Sequence, residues 1–160
     1  MCIQIETATT PSQYAAGKKI FRAYADFLGL DLEFQGFSEE METLPRMYGA
    51  PNGCLLLAKS GNDYVGAVGL RRHDPKTAEI KRMFVYSTHQ GLGVGRALTE
   101  ALIEKAKQLG YQTIKLDSIR SLDKALTLYK KLGFIEIEPY RNNPYSDAIF
   151  MALPLFSHFH

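Results

Sequence analysis

The stretch Gln90-Gly91-Leu92-Gly93-Val94-Gly95-Arg96 carries the most specific pattern in this sequence of 160 residues. The apolar residues that follow it have the spacing of one helix face, at Leu98, Leu102, Ala106 and Leu109. Glycine has no Cβ atom, so a turn of alternating glycines lets backbone N–H groups approach an anion closely. The N-terminal end of the following helix adds partial positive charge. The pattern therefore predicts a turn that binds a diphosphate group.

This turn has three other interpretations. A nucleotide P-loop requires four residues between its glycines and a Lys-Ser/Thr ending, and the sequence has neither. A dinucleotide-binding turn requires a third glycine where Arg96 stands. It also requires a preceding strand that is apolar on both faces, which Glu79, Lys81 and Arg82 argue against. A tight turn without any ligand is the third alternative.

Outward from the turn, the apolar spacing predicts a mixed α/β (α+β) domain over residues 1–160 with a largely antiparallel front half. Predicted strands are Cys2–Thr7, Gly53–Lys59, Tyr64–Arg71, Ala78–Tyr86, Thr113–Asp117, Phe134–Glu138 and Ala148–Leu153. Predicted helices are Pro11–Leu28, Ser38–Tyr48, the segment after the glycine turn, and Ser121–Leu132. Ser38 and Ser121 are expected as N-caps, and Pro45 predicts a break. Strand alternation predicts Ile80, Arg82, Phe84 and Tyr86 on one face, opposite Glu79, Lys81, Met83 and Val85.

Composition and charge exclude several classes of protein. The net charge is +2 and the basic residues occur as isolated pairs, so the sequence does not favour nucleic-acid binding. Cys2 and Cys54 have neither a disulfide pattern nor metal-ligand spacing, so no metal site is predicted. Neither a signal peptide nor a bilayer-spanning apolar segment is evident, so no membrane association and a cytoplasmic location are expected.

Three blocks of sequence together resemble the GNAT superfamily of N-acetyltransferases. Gln90-x-x-Gly93-x-Gly95 is similar to its acetyl-CoA signature, Glu79–Val85 to its fourth strand, and Leu128–Phe134 to its last helix and following turn. The resemblance implies a mixed, mostly antiparallel seven-stranded sheet flanked by about four helices. It also implies acetyl transfer from acetyl-CoA to a primary amine. Many members carry an Asn that contacts the cofactor at the position of Leu122, so that contact is absent here or comes from another group such as Ser121.

The resemblance also implies which residues bind acetyl-CoA. The backbone of Met83, Phe84 and Val85 is expected to bond the pantetheine, and an N–H there to polarise the thioester carbonyl. The glycine turn is expected to hold the pyrophosphate through Gln90, Gly91, Leu92, Gly93, Val94, Gly95 and Arg96. Tyr129 is expected to point at the cofactor sulfur.

The chemistry requires a proton acceptor and a proton donor. An alkyl amine with a pKa of about 10.4 is almost fully protonated at neutral pH, and only its neutral form attacks a thioester. Glu79 is the first candidate base, with Lys81 keeping it ionised; its alternative role is a simple pair with Lys81. Asp117 is the second candidate base, and a turn-capping Asp is its alternative. Tyr129 is the candidate acid, or else a core tyrosine.

Two segments are candidates for the acceptor site. Gln35 and Phe37 belong to one, and Tyr140 and Arg141 to the other, where Arg141 is suited to a substrate carboxylate. Both segments are equally consistent with ordinary surface loops. The acceptor is expected to be a small-molecule amine, although a peptide or protein amine is possible. The resemblance also implies a homodimer through the C-terminal strands, which would cover the two Phe of the tail 155–160; the alternative is that the tail packs back on its own domain. The competing functions are a non-catalytic acetyl-CoA-binding module and a dinucleotide-dependent oxidoreductase.

Overall fold

The computed structural model describes residues 2–29, 32 and 36–155. The strands are β1 (Ile3–Thr7), β2 (Cys54–Ser60), β3 (Asp63–Asp74), β4 (Thr77–Val85), β5 (Thr113–Ile119), β6 (Ile135–Ile137) and β7 (Ala148–Pro154). The α-helices are α1 (Pro11–Leu28), α2 (Phe37–Glu42), α3 (Leu44–Met47), α4 (Val94–Gln108) and α5 (Asp123–Lys131).

The strands form one seven-stranded sheet in the order β1-β2-β3-β4-β5-β7-β6. Only β4 and β5 pair in parallel; every other neighbouring pair is antiparallel. A parallel pair needs a long crossover, and α4 supplies it. This architecture confirms the predicted mixed, mostly antiparallel sheet.

The helices cover the sheet on two sides. On the α1 face, α1, α2 and α3 pack with inward residues of β2 and β3. This core includes Phe21 of α1, Leu55 of β2 and Tyr48 after α3. On the α4 face, α4 and α5 pack with inward residues of β1 to β5 and β7. This core includes Leu98 of α4 and Met151 of β7. Apolar side chains therefore cover both faces of the sheet. Openings for ligands are expected at the edges of strands.

The helix ends follow local sequence, with two corrections. The capping box of Thr10 and Gln13 starts α1, and Gly29 ends it in the left-handed conformation. The predicted helix 38–48 is divided at Thr43, in agreement with the expected break at Pro45. The prediction of Ser38 as N-cap was wrong, because α2 begins at Phe37. Ser121 is likewise not the cap of α5, which begins at Asp123 after Leu122.

A bulge in β4 overturns the predicted division of its side chains between two faces. Ala67 pairs with Phe84 and Gly69 with Lys81, so two residues of β4 oppose the single Val68. Arg82 in this bulge has a φ of 62°, a conformation that residues other than glycine rarely adopt. Ile80 consequently packs in the α4-face core, whereas Phe84 packs on the α1 face. The extra residue shifts the alternation by one.

The central position of β4 was also not expected from its charges. Glu79, Lys81 and Arg82 are 0%, 4% and 6% exposed, although β4 lies in the middle of the sheet. Buried charges persist where partners compensate them. Arg82 is paired with Glu40, and Glu79 with Arg71 and Arg141. Polar residues therefore did not exclude a central strand.

Glu40 anchors α2 to the bulge of β4, and its replacement tests this anchor. Arg82 Nε and Nη2 donate to its carboxylate at 3.1 and 3.0 Å, and Tyr48 Oη donates at 2.8 Å. Glu40→Gln is expected to lower the free energy of unfolding by about 3 kcal/mol, because it leaves a buried charge uncompensated. Denaturant titration measures this loss. Glu42→Gln, on the same helix but exposed, is the control and should change stability by less than about 0.5 kcal/mol. Equal effects of the two variants would contradict the anchoring role.

Candidate active site

The glycine turn joins a 3-10 turn at Ser87–His89 to the start of α4. Gly91 and Gly93 have φ angles of 79° and 83°, and a Cβ added at either residue would point into open space. The amides of Val94, Gly95 and Arg96 occupy the first turn of α4, where a helix supplies no internal acceptors. The side chain of Gln90 braces the turn, since its Nε2 donates to Val85 O at 2.8 Å. The turn thus offers bare N–H groups at a helix start.

A split separates β4 and β5 along the part of β4 that leads toward this turn. The two strands pair only at Thr77–Glu79 with Thr113–Lys115. Beyond that point β4 continues to Val85 and β5 to Ile119 without pairing. The backbone groups of Met83–Val85 on the β5 side therefore have no strand partner, and an extended ligand can bond them.

The split opens into two adjoining cavities that share side chains. Both are lined by Tyr24, Ile80, Arg82, Asp117, Ser118 and Leu122. The α5-side cavity adds Met83, Leu116, Ala125 and Tyr129, whereas the α1-side cavity adds Leu28, Leu32, Lys81, Ile119, Asn143 and Tyr145. The shared lining makes them one slot that is approached from two faces of the sheet.

Tyr129 lies in the α5-side cavity with its ring packed on Phe134, at a centroid distance of 5.5 Å. Its side chain is nearly buried, and burial raises the pKa of the phenol well above its usual value. Within residues 2–29, 32 and 36–155, no hydrogen bond engages its hydroxyl, and no buried polar atom is left unsatisfied. The hydroxyl therefore stays protonated and free to donate into the slot.

Asp117 lies in the part of the slot common to both cavities. Its neighbour Leu116 belongs to the α4-face core, so the side chain of Asp117 points toward the α1 face. Asn143 Nδ2 donates to Asp117 Oδ2 at 3.3 Å. This carboxylate is only half-buried, and it can meet a ligand that enters from the α1 face.

Glu79 lies outside the slot, at the last residue of β4 that pairs with β5. It is fully buried and accepts hydrogen bonds from Arg71 Nε at 3.1 Å, Tyr140 Oη at 2.9 Å and Arg141 Nη2. Burial alone would raise the pKa of Glu79, but the charges of Lys81, Arg141 and Arg71 outweigh burial and lower it. Glu79 is thus an ionised anchor that binds protons weakly.

Lys81 is buried at 4% exposure and contributes to the α1-side cavity. Burial lowers the pKa of its ammonium from 10.5 to about 8, and the charges of Glu79 and Asp117 offset only part of that effect. No carboxylate of the described residues forms a salt bridge with it. Lys81 is therefore a desolvated cation that has no counterion in direct contact among the residues that the structure describes.

The stability of a Lys81→Met variant tests this desolvation. The folded-state pKa of about 8 lies below the unfolded value of 10.5, so the unfolded chain binds more protons between these pH values. The wild-type stability penalty is complete below pH about 8 and fades as pH rises. Lys81→Met is expected to be more stable than wild type at pH 7, with an advantage that shrinks by about 2 kcal/mol by pH 9.5. Denaturant titrations at both pH values measure it; a constant advantage would contradict the lowered pKa.

The predicted acceptor-site residues lie in different parts of the structure. The ring of Phe37 lies 5.2 Å from the Arg82 guanidinium, beside the bulge. Tyr140 and Arg141 are held by Glu79 rather than open to the slot. Gln35 lies outside the described residues. The tail 156–160, which motivated a dimer, also lies outside them.

Sequence reasoning missed Tyr24, which lines both cavities. Burial, helped by the charge of Asp117, raises the pKa of Tyr24 to about 12. Its helical spacing marked it as an apolar core residue of α1, so no sequence signal set it apart. The sequence indicated Lys81 only as a charged neighbour of Glu79.

Comparison with known proteins agrees with this geometry. The model of the Acetyltransferase (GNAT) family matches residues 20–134. The chain belongs to the GNAT family. A GNAT acetyltransferase of Staphylococcus aureus Mu50 superposes with a TM-score of 0.80 at 23% identity, covering 97% of this chain and all of that one. The Salmonella typhimurium yncA structure, solved with its cofactor acetyl-CoA, superposes with a TM-score of 0.70 at 20% identity, covering 100% and 98% of the two chains.

Curated relatives extend the same assignment along the whole domain. An uncharacterized N-acetyltransferase of Schizosaccharomyces pombe is 32% identical over 96% of this chain and 95% of its own length. Another from Dictyostelium discoideum is 32% identical over 86% of this chain and 93% of its own. The chain is an acetyltransferase of the GNAT family, whose cofactor is acetyl-CoA, rather than a dinucleotide-dependent oxidoreductase. None of the described helices has the length and apolar character required to cross a bilayer.

Proposed function

We propose that this GNAT enzyme transfers the acetyl group of acetyl-CoA to a primary amine of a small molecule. The amine attacks directly and the reaction passes through a tetrahedral intermediate. One observation carries the proposal: the slot between β4 and β5 is lined both by Met83, which lies beside Gly95 of the glycine turn, and by the carboxylate of Asp117. Two substrates can therefore meet inside the sheet from opposite faces.

The residues of the turn and the split fit acetyl-CoA. The amides of Leu92, Gly93, Val94, Gly95 and Arg96 hold the pyrophosphate, with Gly91 leaving room and Gln90 bracing the turn. The unpaired backbone edge at Met83, Phe84 and Val85 bonds the pantetheine and supplies an N–H to the thioester carbonyl. Acetyl-CoA supplies the acetyl group in activated thioester form.

Asp117 is the better supported proton acceptor. Its carboxylate lines the slot, while Glu79 lies outside the slot and already accepts from three side chains. A carboxylate whose pKa is lowered by two arginines and a lysine is a weak base. Asp117 takes the amine proton directly or through water, and Glu79 acts as a positioning residue for Tyr140 and Arg141.

Tyr129 serves as the donor on the opposite side of the slot. Its hydroxyl lines the α5-side cavity and, among the described residues, has no competing partner. Because burial raises the pKa of the phenol, the hydroxyl keeps its proton at every practical pH. It donates a hydrogen bond to the departing sulfur and stabilises the charge that develops there.

Asp117→Asn and Glu79→Gln separate the two carboxylates. Asp117→Asn is expected to lower kcat about tenfold, a modest loss because water or a neighbouring group partly replaces the base. Glu79→Gln is expected to raise the KM of the acceptor, with a smaller change in kcat, because release of Tyr140 and Arg141 would displace Asn143 of the same loop, which lines the α1-side cavity. Steady-state kinetics measure both, with the exposed Asp63→Asn as control. A larger kcat loss in Glu79→Gln than in Asp117→Asn would return the role of base to Glu79.

An acetylation panel that follows CoA release tests the proposed function itself. It contains simple alkyl amines, polyamines, amino acids, and a peptide with a free N-terminus. The expected result is acetyl-CoA binding together with amine-dependent CoA release for at least one small amine. Acetyl-CoA binding with no CoA release for any small amine would contradict the proposal, and would instead favour a peptide acceptor or a module that only binds.

A further inference from the structure

The α1-side cavity presents two opposite charges to its contents. Lys81 and Asp117 both line it, and each lies close enough to influence the other electrostatically. Lys81 has no salt bridge with any carboxylate in the described part of the chain, and its side chain is more than nine-tenths buried. Burying an ammonium without a counterion is costly, so a cavity built this way has its best complement in a ligand anion.

Among the described residues, the surrounding carboxylates do not supply that anion. Glu79 is engaged by Arg71, Arg141 and Tyr140, and Glu40 is engaged by Arg82. Asp117 remains, held by one hydrogen bond from Asn143 at 3.3 Å. If Asp117 receives the amine of the acceptor, as the proposed function requires, it is no longer available as the partner of Lys81.

Apolar and aromatic side chains form part of the remaining cavity wall, beside the polar Arg82, Ser118 and Asn143. Leu28 and Leu32 line it, together with the rings of Tyr24 and Tyr145. A second long cation would be repelled by Lys81 and, among the described residues, would find no carboxylate on this wall other than Asp117. A polyamine is thus a poor fit, whereas an apolar side chain is a good one.

We propose that the acceptor is an α-amino acid with an apolar side chain, whose ammonium meets Asp117 and whose carboxylate meets Lys81. The side chain packs on Leu28 and Tyr24. This inference rests on the proposed function and narrows its acceptor to one chemical class. Both charged groups of an amino acid are borne by a single carbon, which matches a lysine and a carboxylate that share one small cavity.

The acetyl transfer needs no residue beyond those already described. The amino group gives one proton to Asp117, its lone pair forms the N–C bond to the acetyl carbonyl, and the C–S bond breaks. The thiolate leaves with the bonding electron pair, and the second proton of the attacking nitrogen passes to it through water or Tyr129, which gives the free thiol of CoA. Asp117 releases the first proton to solvent. The other product is the N-acetyl amino acid.

A second basic cavity of about 430 Å³ offers a rival site for the anion. It is lined by Arg46, Arg71, Arg72 and His73 beside Glu79. Arg71 is already paired with Glu79, and Arg72 Nη1 donates to Asn52 Oδ1 at 3.3 Å. Arg46 and Arg72 are also exposed, so water solvates them and a ligand gains less by pairing with them. The Lys81 cavity is therefore the stronger candidate, and Arg46 provides a control.

The test compares three matched acceptors for each of several apolar amino acids: the amino acid, its amide, and the amine that lacks the carboxyl group. The expected kcat/KM of the amino acid exceeds that of the other two by about 30-fold, as a charge-assisted bond in a dry site provides. Lys81→Met should abolish this preference by raising the KM of the amino acid. The affinity of this variant for acetyl-CoA should stay within about twofold of wild type.

Two other basic residues provide controls for Lys81→Met. Lys76→Met, in the exposed turn before β4, and Arg46→Ala should both keep the preference. Loss of preference in Arg46→Ala, with Lys81→Met unchanged, would place the anion in the other cavity and overturn the proposal. Simple amines that are acetylated as well as amino acids would also overturn it while leaving the proposed function intact. Failure of every amine would instead count against the proposed function.

Discussion

Gly93→Val is expected to weaken acetyl-CoA binding by at least about 100-fold, because two costs combine at this residue. A β-branched residue at a φ of 83° is strained by about 1–3 kcal/mol, and relief of that strain would rotate the amides of the turn out of alignment. Its side chain would also fill the open space into which the bare amides point. Isothermal titration with acetyl-CoA measures the loss.

Gly110→Val controls for backbone strain alone. Gly110 has a φ of 87° and open space around an added Cβ, but it lies beyond the far end of α4. Both variants should lose similar stability, and only Gly93→Val should lose acetyl-CoA affinity. If Gly93→Val bound acetyl-CoA as tightly as wild type, the pyrophosphate would have to lie elsewhere.

Tyr129→Phe is expected to lower kcat by about 100-fold or more, with the dissociation constant of acetyl-CoA within about threefold of wild type. General acids contribute about 10²–10⁴ to rate. The substitution removes only the hydroxyl oxygen of a residue that lines the slot. Among the described residues, this hydroxyl has no hydrogen-bond partner. The packing of the ring on Phe134 is retained. Pre-steady-state CoA release and equilibrium binding together separate the two quantities.

Tyr111→Phe is the matched control for loss of a buried phenol. Tyr111 is 7% exposed and donates to Asn52 O, away from the slot. Its replacement should cost stability, because it orphans a carbonyl oxygen, and leave kcat unchanged. An unchanged kcat in Tyr129→Phe as well would mean that Tyr129 is only a core residue.

The glycine turn and the order of the elements were predictable because their causes are local. Glycines at Gly91 and Gly93 mark positive φ, and the apolar spacing after them marks α4. The family resemblance then extended these signals to a seven-stranded sheet, which the structure confirms. The roles of Glu79, Asp117 and Tyr129 stay predictions, to be decided by the variants above.

The bulge in β4 was not predictable because its cause is distant in sequence. Arg82 is held in an unusual backbone conformation by Glu40, 42 residues earlier, and nothing in the alternation of β4 records that pairing. The same limit applies to Tyr24. Its neighbours Asp117 and Arg82 come from β5 and β4, and only the split between these strands brings all three into one slot.

In the proposed reaction, two substrates meet in one slot and the acetyl group passes directly from one to the other. Initial velocities measured at several fixed concentrations of each substrate test this claim. Intersecting double-reciprocal lines, with no acetylated protein detected by intact mass after incubation with acetyl-CoA alone, are the predicted result. Parallel lines together with a stable acetyl-enzyme would contradict it, because the acetyl group would then pass through a covalent intermediate on the protein.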